Sequence, residues 1–123
     1  MKNSVLLLFI LLTNTVSSQT PGANDWLTLY EKSNFLQTPR HEETIDYCKR
    51  LAKASPWVRY TSLGRTPQGR DLPLVVISKE RAFTPAEAAK TKKAIVLIQS
   101  GIHAGEIDGK DASLMLMRDI TIT

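Results

Sequence analysis

The chain has 123 residues with 16 lysines and arginines against 12 acids, a formal charge of +4, which is too mild and too scattered a basic excess to point to nucleic acid. One domain or part of one is the upper bound at this length. A single cysteine, Cys48, excludes an internal disulfide and, with no second thiol near His41 or His103, a thiolate-rich zinc cage.

The N-terminus reads Lys2, an apolar run from Val5 to Leu12, then small and polar residues from Thr13 to Ser18. That is the layout of a secretory signal peptide, with cleavage expected before Gln19, and the run falls short of the roughly 20 apolar residues of a membrane span. Residues 1–18 are therefore assigned to the signal, and the mature chain is expected to be secreted or periplasmic, with no membrane anchor. Residues 19–37 form an N-terminal helical extension, in which Trp26, Leu27, Leu29 and Tyr30 recur with helical spacing behind Asp25 as N-cap.

A second helix is predicted from Thr38-Pro39 to Ala54. Thr38 caps it, Glu42 and Glu43 favour its positive end, and Ile45, Cys48, Leu51 and Ala52 make one apolar stripe, which places Cys48 in the core. His41 falls in its first turn as a solvated side chain. Trp57–Leu63 and Leu72–Ser78 are β-rich and flank the turn formers Gly64 to Gly69, so two strands with a reverse connection are expected. Thr84-Pro85-Ala86-Glu87 is a capping box that opens a helix ending near Thr91, and Lys90, Lys92 and Lys93 suit the negative end of that helix.

Ala94 to Gln99 is continuously apolar up to its last residue and is predicted to be a central strand covered on both faces. A glycine-bearing loop follows. Ala112, Leu114, Met115, Leu116, Met117 and Ile120 then fit a mostly buried helix capped by Asp108. The sequence holds neither an internal repeat nor a low-complexity tract. Strands alternating with helices predict an α/β fold, a sheet covered by helices. Three strands leave the last one without neighbours unless chain follows Thr123, so an incomplete domain is expected.

Ligands of open α/β sheets gather beyond the carboxyl ends of the strands, where His103 and Glu106 stand. A tight turn over Ala104-Gly105 aims imidazole and carboxylate at one point, as zinc with nitrogen and oxygen ligands requires, and Gly105 leaves the approach uncrowded. Two other readings stay open on the residues alone: a hydrogen-bonded loop histidine, and a glutamate favoured by the helix dipole. A phosphate loop over Gly105 to Lys110 is excluded. It needs glycine at Ala104 and a hydroxyl residue at Asp111.

The run from Leu63 to Ser78 (Leu-Gly-Arg-Thr-Pro-Gln-Gly-Arg-Asp-Leu-Pro-Leu-Val-Val-Ile-Ser), followed by Ile98-Gln99-Ser100-Gly101-Ile102-His103-Ala104-Gly105-Glu106, resembles the start of the zinc metallocarboxypeptidase family, carboxypeptidase A-like. The likeness covers about Thr38 to Ile120, and residues 38–123 are assigned to the N-terminal portion of that catalytic domain. The resemblance implies a mixed, mostly parallel sheet of eight strands sandwiched between helices, of which this chain would hold the N-terminal part, with one zinc held by His103, Glu106 and a later histidine; this ligand set is carried over from the family and not deduced from spacing. It also implies that no catalytic group lies in this chain: the general-base glutamate is expected downstream of Thr123, and peptide or protein is the substrate. Zinc would polarise the scissile carbonyl and a water whose proton that glutamate takes.

Digestive members carry arginine where this chain has Gly105, so His-Ala-Gly-Glu resembles a bacterial branch and digestive preferences are not transferred. Gly64, Arg65, Gly69 and Arg70 are read first as turn and packing residues. Two alternatives remain: a non-catalytic binding module with this fold, and an amidohydrolase of cell-wall peptides using the same metal site. The 123-residue chain itself is expected to be inactive and at best a weak zinc binder, because its coordination sphere is incomplete.

Overall fold

A computed structural model of the chain describes residues 22–122. The signal sequence and its cleavage point before Gln19 lie outside the described residues. No described helix is long and apolar enough to cross a membrane.

The N-terminal extension breaks into two pieces where the sequence pattern predicted one helix: a 3-10 turn at Ala23–Trp26 and a single α-turn, α1, at Leu29–Lys32. The break occurs at Thr28 because Thr28 and Glu31 satisfy each other reciprocally. Glu31 N donates to Thr28 Oγ1 at 3.3 Å, and Thr28 N donates to Glu31 Oε2 at 2.8 Å. Thr28, and not Asp25, thus caps the α-turn. Asp25 accepts instead from Gly22 N at 2.8 Å.

Helix α2 runs His41–Ala54, with Arg40 and not Thr38 as N-cap; Arg40 N donates to Glu43 Oε2 at 2.7 Å. Its stripe behaves as the spacing predicts. Ile45, Cys48 and Leu51 are buried, and Leu51 is fully enclosed. Burial pushes the Cys48 thiol up to about 11, so it stays protonated at neutral pH. His41 is exposed in the first turn.

Strands β1 (Val58–Arg65) and β2 (Asp71–Ile77) form an antiparallel hairpin, irregular between Ser62 and Gly64, with Gly69 in the connecting turn. Trp26, Leu51 and Val58 form the centre of the core, and Val75, Ile77 and Met117 pack onto it. Tyr47 ties the N-terminal turn to this centre: its hydroxyl donates to Trp26 O at 2.7 Å and its ring meets Trp26 edge-on, with centroids 6.4 Å apart. Helix α3 (Pro85–Thr91) follows the predicted capping box, Glu87 N donating to Thr84 Oγ1 at 3.2 Å and Thr84 N to Glu87 Oε2 at 2.9 Å. Of the three lysines at its end, Lys93 pairs with Glu80.

Two expectations are corrected. Residues 94–99 do not form a covered central strand: they have no sheet partner among the described residues, and Ile95, Val96 and Leu97 are each 77–80% exposed. An extended segment can bury two faces only between neighbouring layers, and among the described residues the sheet holds β1 and β2 alone. The chain is thus α/β with a two-stranded antiparallel sheet, where a mostly parallel one was expected. Helix α4 (Ile107–Thr121) is N-capped by Glu106, with Asp108 inside its first turn. It packs on α2 and buries Leu114, while Leu116 and Ile120 remain nearly half exposed.

Candidate metal centre

The segment between residues 99 and 107 turns sharply before entering α4. Gly101 takes a left-handed φ of +69°, which a residue with a Cβ adopts only under strain. Two backbone bonds close the turn that follows: Glu106 N donates to His103 O at 3.0 Å and Ile107 N to Gly105 O at 3.1 Å. The turn therefore folds His103 and Glu106 onto one side.

Their side chains meet. His103 Nδ1 lies 2.6 Å from Glu106 Oε1, and His103 N donates to Glu106 Oε2 at 3.4 Å, so one carboxylate engages both ring and backbone of the histidine. Both groups are open to solvent, with 78% and 55% of the two side chains exposed. An exposed pair of this kind contributes at most about 1 kcal/mol to stability. The arrangement is better suited to offering lone pairs than to holding the fold together.

The donor set suits zinc, which takes imidazole nitrogen and carboxylate oxygen at about 2.0–2.2 Å. Two such ligands on a tetrahedral ion stand roughly 3.3 Å apart, so a modest side-chain rotation away from the present contact would admit the metal. Among the described residues no group of three histidine, cysteine or carboxylate side chains comes together, so the pair offers two donors and not a full coordination sphere. A Cβ built on Gly105 meets nothing within 4 Å, so the crowding argument for glycine there has no support from its neighbours.

Residues that the sequence reading passed over anchor the helix behind the pair. Lys110 Nζ donates to Thr38 Oγ1 at 2.6 Å and to Pro39 O, fastening the first turn of α4 to the flank of α2. A cation in a helix's first turn opposes the macrodipole, and that oddity was the available signal that Lys110 has a partner elsewhere. Asp111 is 2% exposed, with its Oδ1 3.8 Å from Lys110 Nζ and lacking a hydrogen bond among the described residues.

Residues 44–123 match the family model described as zinc carboxypeptidase, a span that takes in β1, β2, the turn and α4. The chain belongs to the zinc carboxypeptidase family. Among curated relatives it is similar to carboxypeptidase 2 of Trichophyton rubrum, 29% identical over 84 residues, which is 67% of this chain and 15% of that protein. A probable carboxypeptidase 2 of Trichophyton verrucosum (strain HKI 0517) is 27% identical over 84 residues, 67% of this chain and 16% of the relative. The chain thus spans about one-sixth of the length of these relatives. No solved structure matches it. Family membership places the resemblance read from the Leu63–Ser78 run and the His-Ala-Gly-Glu turn on independent ground.

Proposed function

We propose that this chain contributes the first two zinc ligands, His103 and Glu106, to an exported metallocarboxypeptidase that cleaves peptide bonds near peptide C-termini. The observation that carries the reading is the 2.6 Å approach of His103 Nδ1 to Glu106 Oε1 on a tight turn inside the family-matched segment. Export rests on Lys2 and the apolar run that follows it. Bound zinc would supply Lewis-acid polarisation of a carbonyl and of its attacking water.

His103 and Glu106 hold the ion, and the closed turn keeps them adjacent before it arrives. The third ligand and the general base are assigned to sequence outside this chain, in keeping with relatives of which the matched segment is only 15–16%. Residues 94–99 would be the first member of the parallel part of the sheet, whose other strands are assigned to sequence outside this chain. Isolated, the 123-residue chain is expected to bind zinc weakly and to hydrolyse no peptide. Competition against a chromophoric chelator tests the first point, with His103→Ala and Glu106→Gln each expected to abolish what binding there is. The coding sequence after Thr123 tests the second: it should encode a further histidine and glutamate, and the longer product should lose peptidase activity on chelation. Full activity in the presence of chelator would sink the proposal.

A further inference from the structure

The turn that carries His103 and Glu106 is fastened at its base by three residues to which the family resemblance above assigns no role. Ser100, just before the turn, lies with its Oγ 2.8 Å from Ser113 Oγ on α4. Ser113 Oγ also donates to Gly109 O at 2.7 Å. Each hydroxyl has a single proton, so Ser113, having given its own to Gly109, must accept from Ser100. The third contact is steric. A Cβ built on Gly109 would stand 3.3 Å from Ser100 Cβ, closer than side chains ordinarily pack, so glycine at 109 lets Ser100 reach α4.

A serine inside a helix often donates to the carbonyl one turn back, and that habit alone accounts for the Ser113–Gly109 bond. It accounts neither for Ser100 as donor nor for the missing Cβ opposite it. The entrance to the turn also has little else to hold it, since residues 94–99 make no sheet hydrogen bonds among the described residues. The bonds within the turn fix His103 against Glu106 but do not fix either against the body of the molecule. From Ser100 the connection runs through Gly109 and Ser113 to α4, and through Lys110 to Thr38.

We infer that Ser100, Ser113 and Gly109 form a clasp that closes the base of the ligand-bearing turn, making Ser100 and Ser113 positioning residues for His103 and Glu106. The metal part of this statement rests on the proposed function; the closure of the turn does not. The clasp restrains the turn before metal arrives, so losing it lowers affinity by making the ion order the loop.

The test uses the 123-residue chain and two readouts: backbone amide shifts without metal, and Zn²⁺ affinity by chelator competition. Ser113→Ala and Ser100→Ala should each move the amide resonances of residues 103–106 and weaken zinc binding roughly threefold to tenfold, the range one hydrogen bond provides. Ser100 lies outside any helix, so its variant leaves α4 intact should Ser113→Ala disturb it. Ser113→Thr, which keeps the hydroxyl, should restore both readouts. Shifts confined to the neighbourhood of residue 113, with zinc affinity unchanged, would overturn the clasp. If the unsubstituted chain binds no zinc, its incomplete coordination sphere accounts for that, and unmoved resonances at 103–106 would still refute the clasp on their own.

Discussion

The region around Trp26, Leu51 and Val58 and the segment from residue 94 to residue 107 are both rich in apolar side chains, yet the first is closed and the second open. In the first, a helix stripe, a hairpin and an aromatic turn meet, and Leu51 has no exposed surface. In the second, Ile95, Val96, Leu97 and Ile98 are 58–80% exposed, directly before the turn that brings His103 to Glu106. Burying those four fully would contribute about 1.5–3 kcal/mol each, of which the described residues realise only the smaller part. The lesson is that the His103–Glu106 pair is assembled by local turn geometry, while the segment leading into it has no covering layer among the described residues.

Leu51→Ala should therefore produce the largest loss, about 2–5 kcal/mol, read from the urea midpoint of unfolding, because the cavity would open in the one region that is fully packed. A loss under about 1 kcal/mol would mean that this region is as loose as the other.

Next in size is the link between α1 and α4. Arg118 Nη1 lies 2.5 Å from Glu31 Oε2, with the two side chains only 15% and 12% exposed. Arg118→Met should cost about 2 kcal/mol by leaving Glu31 with only its Thr28 bonds. The pH dependence has a definite sign. Burial pushes the Glu31 carboxyl up, but hydrogen bonds from Arg118 and Thr28 outweigh it and hold the group below its ordinary 4.5. The folded chain thus takes up that proton less readily than the unfolded one. The contribution is complete above the ordinary value and is lost as pH falls through the lowered one. Unfolding followed from pH 6 down to about pH 3 should show stability declining with acid, less steeply in Arg118→Met. Parallel profiles would assign the acid dependence to other carboxylates.

How much of this was legible in the sequence follows the range of each interaction. The capping box at Thr84 and Glu87, the α2 stripe, the hairpin and the His103–Glu106 turn all involve partners a few residues apart or a repeating period, and they form as read. The helix starts were misplaced where several candidate caps compete. Thr38 looked like a cap, but its hydroxyl accepts from Lys110, 72 residues away, and Arg40 took the capping position. Residues 94–99 were misjudged for the same reason on a larger scale: composition shows that a segment wants to be covered, not what covers it. The Ser100–Ser113 contact left no trace in the sequence beyond a glycine inside a helix at Gly109.

His103→Ala and Glu106→Gln should change unfolding stability by no more than about 1 kcal/mol while removing zinc binding, since the pair is exposed and holds nothing else in place. A larger loss of stability would show that the turn contributes to folding and would weaken its assignment as a ligand pair.

The smallest effect on unfolding is expected at Leu97, 80% exposed in the open segment. Leu97→Ser removes apolar surface that already faces water, so the urea midpoint should not fall. Self-association should fall instead. An uncovered apolar segment with free backbone donors and acceptors is a template for pairing with other chains, and one hydroxyl in its middle weakens that template. Sedimentation velocity across a concentration series separates the outcomes. If Leu97→Ser destabilises the monomer as much as Leu51→Ala does, residues 94–99 are already covered within the chain, and the contrast between the two regions disappears. If the monomer is unaffected and association drops, the segment is an uncovered surface able to take a neighbouring strand, and the contrast between the two regions stands.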